Sequence, residues 1–313
     1  MRRMRSAFWK VAMPVVVFAM AGWARESTPQ QAEQKIQKGL EISRTTKFCT
    51  PSYWSWELQL ATVQKDRELA GRIAKVLYGL QKPDGRWALG TDWVFNKDVD
   101  FKPRTAEDAE TWEVAEAGNA LLDYAAAFGE REAYPYVVKA AEYLKTGVRR
   151  VQGKPYLPHM IESNNLLQPH STICTALLFQ RLKDRPEFVR LGQELEESGA
   201  AMNFRRIVID PQTKDLAAPK PGSEIVDYEK IQVGFYLLQM GNPKGQKILA
   251  GYENYAVKNP EGDMAGAYRV LVELKLGRLQ KAKQAAEQVK AFRPKNGYTY
   301  ALRDIIDYGL SVK

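Results

Sequence analysis

Apolar residues recur with the spacing of an α-helix along nearly the whole chain after residue 28. In the segment 66–81 they place Leu69, Ile73 and Leu77 on one face. Tight turns containing Gly, Pro or Asn alternate with longer loops, of which 83–103 and 151–168 are the most extended. This alternation predicts an all-α protein of about twelve helices paired as hairpins.

The helix-stop signals divide the chain into segments whose ends can be assigned. The first predicted helix begins near Pro29, where Thr28 is suited to cap it. The others are 51–64, 66–81, 106–128, 131–147, 169–182, 186–198, 224–240, 243–258, 261–275, 277–291 and 297–311. The segment Phe204–Ile209 is the best candidate for a strand.

Two architectures accommodate repeated helical hairpins: a closed α/α toroid and an open helical-repeat solenoid. The segment Ala265–Gln288 has the small residues and the short turn of a solenoid repeat. A sustained period of about 34 residues is absent, however, and the first hairpins carry long, aromatic-rich loops at one end. The pattern therefore favours the toroid and keeps the solenoid as the alternative.

Residues 1–24 are predicted to be a signal peptide. A basic start with Arg2, Arg3, Arg5 and Lys10 precedes the apolar stretch Val11–Ala21, and Gly22-Trp23-Ala24 has the small-x-small pattern of a cleavage site. The apolar stretch is shorter than the roughly 20 residues that span a bilayer. We therefore expect a secreted or periplasmic mature chain, residues 25–313, that folds as one helical-hairpin domain without an integral membrane segment.

Cleavage also changes the charge balance. The full chain has 46 basic and 37 acidic residues, a net charge of +9, and four of the basic residues belong to the predicted signal peptide. The mature chain has no long Lys/Arg stripe, so nucleic acid is not an expected partner. Cys49 and Cys174 remain after cleavage. An exported chain can pair them, but their spacing alone leaves open whether they are bridged or free.

One junction of the chain has a distinctive pattern. The helix ending at Leu80 is followed by Gln81, by the turn Pro83-Asp84-Gly85 and by Trp87. A looser copy, Gln152-Gly153-Lys154-Pro155-Tyr156, has Tyr156 in the place of the tryptophan. The junction resembles the helix-Gln-x-x-Asp-Gly-x-Trp pattern that recurs in α/α-toroid proteins, among them family 10 pectate lyases and terpenoid cyclases.

The resemblance covers roughly residues 50–180 and implies a toroid that acts on sugar polymers. The pectate-lyase junction usually reads Gly-Gly-Trp-Pro, whereas this chain reads Gly85-Arg86-Trp87-Ala88. The acidic Asp-x-Asp-Asp signature of terpenoid cyclases is absent from the sequence. The resemblance therefore implies architecture and substrate class and assigns no catalytic residue.

Tryptophan is concentrated in one part of the mature chain. All five of its tryptophans lie between residues 54 and 112. Flat rings beside long loops are typical of a cleft in which aromatic side chains stack on sugar faces, although a tryptophan-rich core layer explains the same clustering. Trp87, Trp93 and Trp112 are the candidate substrate-binding residues.

Acidic residues crowd the same region, with eight between Asp92 and Glu116. Glu110 and Glu113 are three residues apart, so on a helix they share a face beside Trp112. Adjacent carboxylates suit general acid and base catalysis on a sugar polymer. Asp92 and Asp98 can instead hold Ca²⁺, and no other cofactor is expected. A solvated helix face is the simpler interpretation of these residues.

The two histidines of the chain, His159 and His170, flank one loop. His170 lies in the predicted first turn of a helix, where the helix dipole favours a neutral imidazole able to accept a proton. With Tyr156 as a proton relay, these residues can perform β-elimination on a uronate polymer. The substrate carboxylate would then be neutralised by Arg104, Asn164 or Asn165. Surface or capping histidines are the alternative.

Phosphate-binding loops, nucleophile elbows and His-Glu-x-x-His or Cys-x-x-Cys motifs are absent from the sequence. The leading hypothesis is an exported α/α toroid that acts on polysaccharide by lyase or glycoside-hydrolase chemistry, in a cleft between loops 83–103 and 151–168. The segment Glu224–Glu229, at the start of a predicted helix, can add acids to that cleft. The alternative is a non-catalytic helical-repeat protein that binds peptide or glycan outside the cytoplasm.

Overall fold

A computed structural model describes residues 26–45, 51–90, 107–161, 166–210 and 212–312. Within these residues the chain forms twelve α-helices and four short strands. The helices are α1 (Pro29–Thr45), α2 (Pro51–Val63), α3 (Arg67–Leu80), α4 (Thr111–Phe128), α5 (Tyr134–Thr146), α6 (Pro169–Arg181), α7 (Pro186–Ala201), α8 (Asp227–Gln239), α9 (Pro243–Gly251), α10 (Met264–Lys275), α11 (Leu279–Gln288) and α12 (Gly297–Ser311).

The even-numbered helices form a closed inner ring. Each of α2, α4, α6, α8 and α10 contacts the next in this series, and α12 contacts both α10 and α2. The odd-numbered helices form an outer layer: α3, α5, α7, α9 and α11 each pack against at least one neighbouring inner helix, and α1 packs against α3. Ring closure confirms the all-α toroid and excludes the open solenoid, because the first and last repeats of a solenoid do not touch.

The burial of each helix follows from its place in the two layers. The inner helix α2 is buried all round, since every residue from Pro51 to Thr62 is covered. The outer helix α3 is covered on one face only, by Leu69, Ile73 and Leu77 among others. A helix that is apolar on every side has neighbours on every side, whereas a single apolar stripe belongs to a surface helix.

All inner helices run in the same direction, so their first residues lie at one end of the toroid, called here the loop end. The connections at this end are long and include 81–110, 147–168 and 202–226. At the opposite end the connections are tight turns, such as 64–66 and 240–242. The elements available to build a site are therefore concentrated at the loop end.

Polar side chains fill the axis of the ring below the loop end. Glu116 Oε1 accepts hydrogen bonds from Gln59, Gln232, Tyr236 and Tyr268, which lie on three other inner helices, at 3.0–3.4 Å. Nearer the tight turns, Lys275 donates to Gln59 at 2.6 Å and to Asp123 at 2.9 Å. Side chains therefore fill the interior at these levels.

The junction after α3 is a closed clip. The Trp87 indole donates to the carbonyl of Leu77 at 2.8 Å, and the Gln81 side chain donates to the carbonyls of Gly85 and Tyr136. Gly85 has a φ of +99°, a conformation that glycine adopts without a steric penalty. The turn predicted from Pro-Asp-Gly is confirmed, and it joins the hairpin to α5.

Two segments that were predicted to be non-helical differ from the prediction in their strands. The predicted loop 151–168 contains parts of two small sheets, in which β1 (Arg149–Val151) pairs with β2 (Lys154–Tyr156) and β3 (Leu166–Leu167) pairs with β4 (Ile207–Val208). The strand candidate Phe204–Ile209 is confirmed only in its β4 part. The prediction missed β3 because its partner lies about forty residues away in the chain.

Helix α8 begins at Asp227 rather than at 224, because Ile225 donates from its backbone to Phe204 in an extended pairing at 2.9 Å. Helix α9 ends at Gly251 rather than at 258. Cys174 is a buried free thiol, whereas Cys49 and the predicted signal peptide lie outside the described residues. None of the helices within the described ranges combines the length and apolar character needed to cross a membrane.

Candidate functional site

Five of the inner helices bring side chains from their first turns to the loop end. These are Ser52 of α2, Trp112 and Glu113 of α4, His170 of α6, Tyr228 and Glu229 of α8, and Tyr298 of α12. Because the helices are parallel and form a ring, their first turns converge. Residues that lie far apart in the sequence therefore surround one region.

Backbone pairing places His159 beside the start of α4. Thr111 donates from its backbone to the carbonyl of His159 at 3.0 Å, and Glu110 forms a bridge with Met160. As a result His159 Nε2 lies 3.5 Å from Glu110 Oε1. The Trp112 indole donates to the other oxygen of the same carboxylate.

A second contact orients the His159 ring. Its Nδ1 lies within hydrogen-bond distance of Gln168 Oε1, which also accepts from Ser171 at 2.9 Å. The amide of Gln168 donates in turn to Glu229 Oε1 at 2.9 Å. With Gln168 Oε1 as the acceptor, the tautomer that carries its hydrogen on Nδ1 satisfies this contact and leaves Nε2 facing Glu110.

The neighbours of Glu229 hold it in its ionised form. Burial alone would raise the pKa of Glu229, but the neighbouring His170, the charge of Arg206 and the backbone N–H of Val226 together hold it below its ordinary value. Arg206 Nη2 and the Val226 N–H lie 3.1 and 3.0 Å from Glu229 Oε2. His170 Nδ1 lies 3.7 Å from Oε1.

His170 is fully buried against Trp112. The two ring centroids are 4.8 Å apart, and the ring planes are tilted by 32°. The histidine thus lies between the aromatic ring of α4 and the carboxylate of Glu229. This packing restricts the orientation of both rings beside the carboxylates.

Glu113 accepts a hydrogen bond from Ser52 on the neighbouring inner helix. Glu110, Glu113 and Glu229 are only 3%, 7% and 4% exposed, so the three carboxylates have been withdrawn from bulk water. Charges inside such a site interact more strongly than charges in solvent, which is the condition that acid and base catalysis requires.

Two tyrosines with partly exposed side chains flank the three carboxylates. Burial and the negative charges of Glu110, Glu113 and Glu229 raise the pKa of Tyr298 to about 12, against a hydrogen bond from Asn296. Burial, Glu229, Tyr298, Glu110 and Glu113 likewise raise the pKa of Tyr228. The same three carboxylates therefore act on the pKa of both tyrosines.

The structure thus brings together five of the residues singled out in the sequence: Glu110, Trp112, Glu113, His159 and His170. It places two others elsewhere. Trp87 is buried in the clip after α3. Tyr156 packs in a small separate hydrophobic cluster with Val151, Leu167, Met202 and Ile209.

The remaining candidates lie outside the described residues: Trp93, Arg104, Asn164, Asn165, Asp92 and Asp98. Among the side chains that the structure does describe, no group of three or more His, Cys, Asp or Glu is arranged to hold a metal ion. The calcium site at Asp92 and Asp98 therefore stays a prediction.

The sequence pattern did not indicate how much α8 and α12 contribute to the site. It predicted Glu229 only as part of an acidic helix start, and it gave no indication of Gln168, Arg206 or Tyr298. A signal was present, since each of these residues is next to or within a long loop that precedes an inner helix. Their contacts join segments more than twenty residues apart, which periodicity does not detect.

Comparison with known proteins gives a match at the level of structure. No protein-family profile and no curated protein sequence matches the chain. Solved structures do match this chain over most of their own length, at 10–13% sequence identity. The first is an alpha-amylase from Clostridium perfringens, with a TM-score of 0.57 at 10% identity, covering 84% of this chain and 87% of that one.

A family 76 glycoside hydrolase from Bacteroides thetaiotaomicron matches with a TM-score of 0.55 at 10% identity, over 83% of this chain and 67% of that one. A family 8 endoglucanase from Klebsiella pneumoniae matches with a TM-score of 0.52 at 12% identity, over 83% of this chain and 90% of that one. The chain shares its fold with glycoside hydrolases. These comparisons support the α/α toroid and give no support to the likeness with family 10 pectate lyases.

Proposed function

We propose that this protein hydrolyses glycosidic bonds of a polysaccharide at the loop end of the toroid. The observation that carries the proposal is the grouping of buried carboxylates at the loop end: His159 and Gln168 link Glu110 to Glu229, and Glu113 follows Glu110 by three residues at the start of α4. Glycoside hydrolysis needs one carboxyl group to protonate the leaving oxygen and a second to activate water or to attack the sugar. Proteins that share the fold are glycoside hydrolases, which agrees with this chemistry.

The contacts suggest a division of roles. Glu110 is the proposed acid, because His159 Nε2 lies 3.5 Å from it and can return a proton after each turnover. Glu113, oriented by Ser52, is the proposed base. Glu229 accepts several hydrogen bonds at once, so it positions Gln168 and His170 rather than reacting itself.

The aromatic rings supply the binding surface. Tyr228 and Tyr298 have partly exposed rings, and such rings stack on the apolar sides of sugar rings, whereas Trp112 is 6% exposed and packs on His170. Trp93 and Arg104 stay proposed contributors from loop 83–103, and Asn164 and Asn165 from loop 151–168. Trp87 is omitted from the substrate surface because its indole is engaged in the clip.

The test is the release of reducing ends from a panel of neutral and acidic polysaccharides. Glu110→Gln and Glu113→Gln are each expected to lower kcat by roughly 10²–10⁴-fold, the usual contribution of a positioned acid or base. Glu142→Gln, on the outer helix α5, removes an exposed carboxylate of the same type and is the matched control. Unchanged kcat in both site variants would exclude the assignment.

Two other functions give different results in the same assay. β-Elimination, with His159 or His170 as the base, releases an unsaturated sugar that absorbs ultraviolet light. A non-catalytic glycan- or peptide-binding protein binds its ligand and releases no product. The proposed reaction uses side chains alone, so a chelator is expected to leave turnover unchanged. A loss that Ca²⁺ restores would instead support the calcium site predicted at Asp92 and Asp98.

We also propose that the mature chain acts outside the cytoplasm, as the export signal in residues 1–24 indicates. Amino-terminal sequencing of protein from the periplasm or the medium is expected to begin at Arg25, or at Gly22 if the cut follows Ala21. An intact chain confined to the cytoplasm would contradict export and leave the proposed chemistry untouched.

A further inference from the structure

A polar groove lies on the outer wall of the toroid, between the segment before α10 and helix α11. It encloses about 640 Å³, a volume in the range of small-ligand sites. One wall is residues 253–256, and the opposite wall is the face of α11 that carries Gln280, Lys283, Gln284 and Glu287. These four positions have the spacing of a single helix face. The apolar face of α11, with Ala282 and Ala286, packs on the core.

Arg269 of α10 lies at the base of the groove and is 6% exposed. Its Nη2 donates to the carbonyl of Glu253 at 2.7 Å. Its Nε and Nη1 are buried and have no acceptor among the described residues. Burying a charged group with so few acceptors is costly, so the charge of an anion bound in the groove would stabilise the Arg269 guanidinium.

The charges around the groove leave a positive excess. Glu253 is paired with Lys281 at 2.7 Å, and Glu287 is paired with Lys290 at 3.4 Å. Both acidic residues of the lining are thus neutralised by lysines. The described part of the chain places no acidic partner within ion-pair distance of Arg269 or of the half-buried Lys283.

The direction of the Arg269 pKa agrees with this description. Burial lowers the pKa of the guanidinium below its ordinary value, and the charges of Glu273 and Glu253 only partly oppose the effect. Glu273 is itself close to Arg278, whose Nη1 lies 3.7 Å from its carboxylate. Arg269 therefore has little local compensation for its charge.

We infer that this groove binds the carboxylate of an acidic sugar, through Arg269 and Lys283. The two cationic side chains pair with the carboxylate, since charge-assisted hydrogen bonds are the stronger kind. Gln280 and Gln284 both donate and accept, as sugar hydroxyl groups do. The choice of a sugar rests on the proposed function, whereas the requirement for an anion rests on the groove alone.

The experiment is calorimetric titration of the mature chain with Glu113→Gln, which prevents turnover, against a galacturonate trisaccharide and its neutral galactose counterpart. The acidic sugar is expected to bind and the neutral sugar to bind at least roughly tenfold more weakly, the loss typical of one charge-assisted hydrogen bond. Adding the substitution Lys283→Gln is expected to weaken binding of the acidic sugar by a similar factor. Adding Lys75→Gln, an exposed lysine on α3, is the matched control and is expected to change nothing.

Arg269→Gln tests the buried cation, with its melting temperature recorded; if that variant does not fold, Lys283→Gln decides alone. Equal binding of both sugars, or no effect of Lys283→Gln, overturns the inference. Binding of inorganic phosphate without the acidic sugar overturns it as well. If Glu110→Gln loses turnover and Lys283→Gln leaves sugar binding unchanged, the proposed function stands and the groove is rejected as a binding site. If Glu110→Gln and Glu113→Gln turn over normally and Lys283→Gln weakens sugar binding, the groove stands and the proposed function is rejected.

Discussion

Buried carboxylates on the inner helices differ in charge because their neighbours differ. Burial would raise the pKa of Asp123, but Lys275 and Arg181 lower it to about 2. Burial raises the pKa of Glu116, and the hydrogen bonds it accepts offset this only in part. Burial raises the pKa of Glu57 to about 8, against the attraction of Lys35. Ionised and neutral carboxyl groups thus coexist within one ring of helices.

Glu57 is expected to make stability depend on pH. Its pKa is raised from 4.5 to about 8 by folding, so the folded state holds a proton that the unfolded state releases. The resulting contribution to the stability of the fold is complete below pH 4.5 and is lost as the pH rises through 8. Glu57→Gln is expected to remove this part of the pH dependence, measured as the melting temperature across that interval.

Glu41→Gln is the matched control, because Glu41 is an exposed carboxylate on the adjacent helix α1. Its pH profile is expected to follow that of the wild type. Lys35, which lies 2.9 Å from Glu57 and 3.2 Å from Asp304, is present in both variants. Parallel profiles for Glu57→Gln and the wild type would refute this account of the buried carboxyl group.

At the scale of elements, the clip after α3 is the connection whose geometry is most restrictive. A Cβ atom on Gly85 would lie 2.1 Å from the carbonyl oxygen of Lys139, at a φ of +99°. Helix α5 therefore packs directly against the turn, which only glycine permits. Trp87 covers the end of α3 from the same turn.

Gly85→Ala is expected to lower the free energy of unfolding by about 2 kcal/mol or more, because both the backbone conformation and the contact with α5 are lost. Gly79→Ala, six residues earlier in α3, is the control, since no atom lies within 4 Å of its added Cβ. It is expected to leave stability unchanged or slightly higher, as alanine favours helix. Chemical denaturation measures both, and equal effects would contradict the packing argument.

At the scale of the whole molecule, helix α12 completes the ring. It contacts α10 on one side and α2 on the other, burying Leu302, Ile305 and Ile306. It also brings Tyr298 to the loop end, beside Trp56 of α2 at 5.7 Å between ring centroids. Closure and the candidate site therefore depend on the same helix.

Truncation before Gly297 is expected to expose the apolar faces of α2 and α10 and to abolish a single cooperative unfolding transition. Removal of the last residue alone is the control and is expected to keep that transition. Dye binding to exposed apolar surface and the width of the thermal transition are the measurements. A truncated chain that unfolds as sharply as the full chain would show that closure contributes little to stability.

The sequence by itself determined the helices, their pairing into hairpins and the end of the hairpins where Glu110, Trp112, Glu113, His159 and His170 lie. Periodicity, capping residues and turn residues are properties of short segments, so they can be interpreted without knowing what packs against them. For the same reason Trp87 and Tyr156 were assigned to the site: their residue types suit it, and their burial elsewhere depends on distant partners.

Only the tertiary structure decided that the ring closes, that Gln168 and Arg206 bind Glu229, and that Arg269 lies buried beside a groove. Each of these depends on contacts between residues far apart in the chain, whose cost in chain entropy is offset only when the whole ring forms. A local pattern is compatible with several such arrangements. Packing of the inner helices against one another selects the one in which five first turns meet.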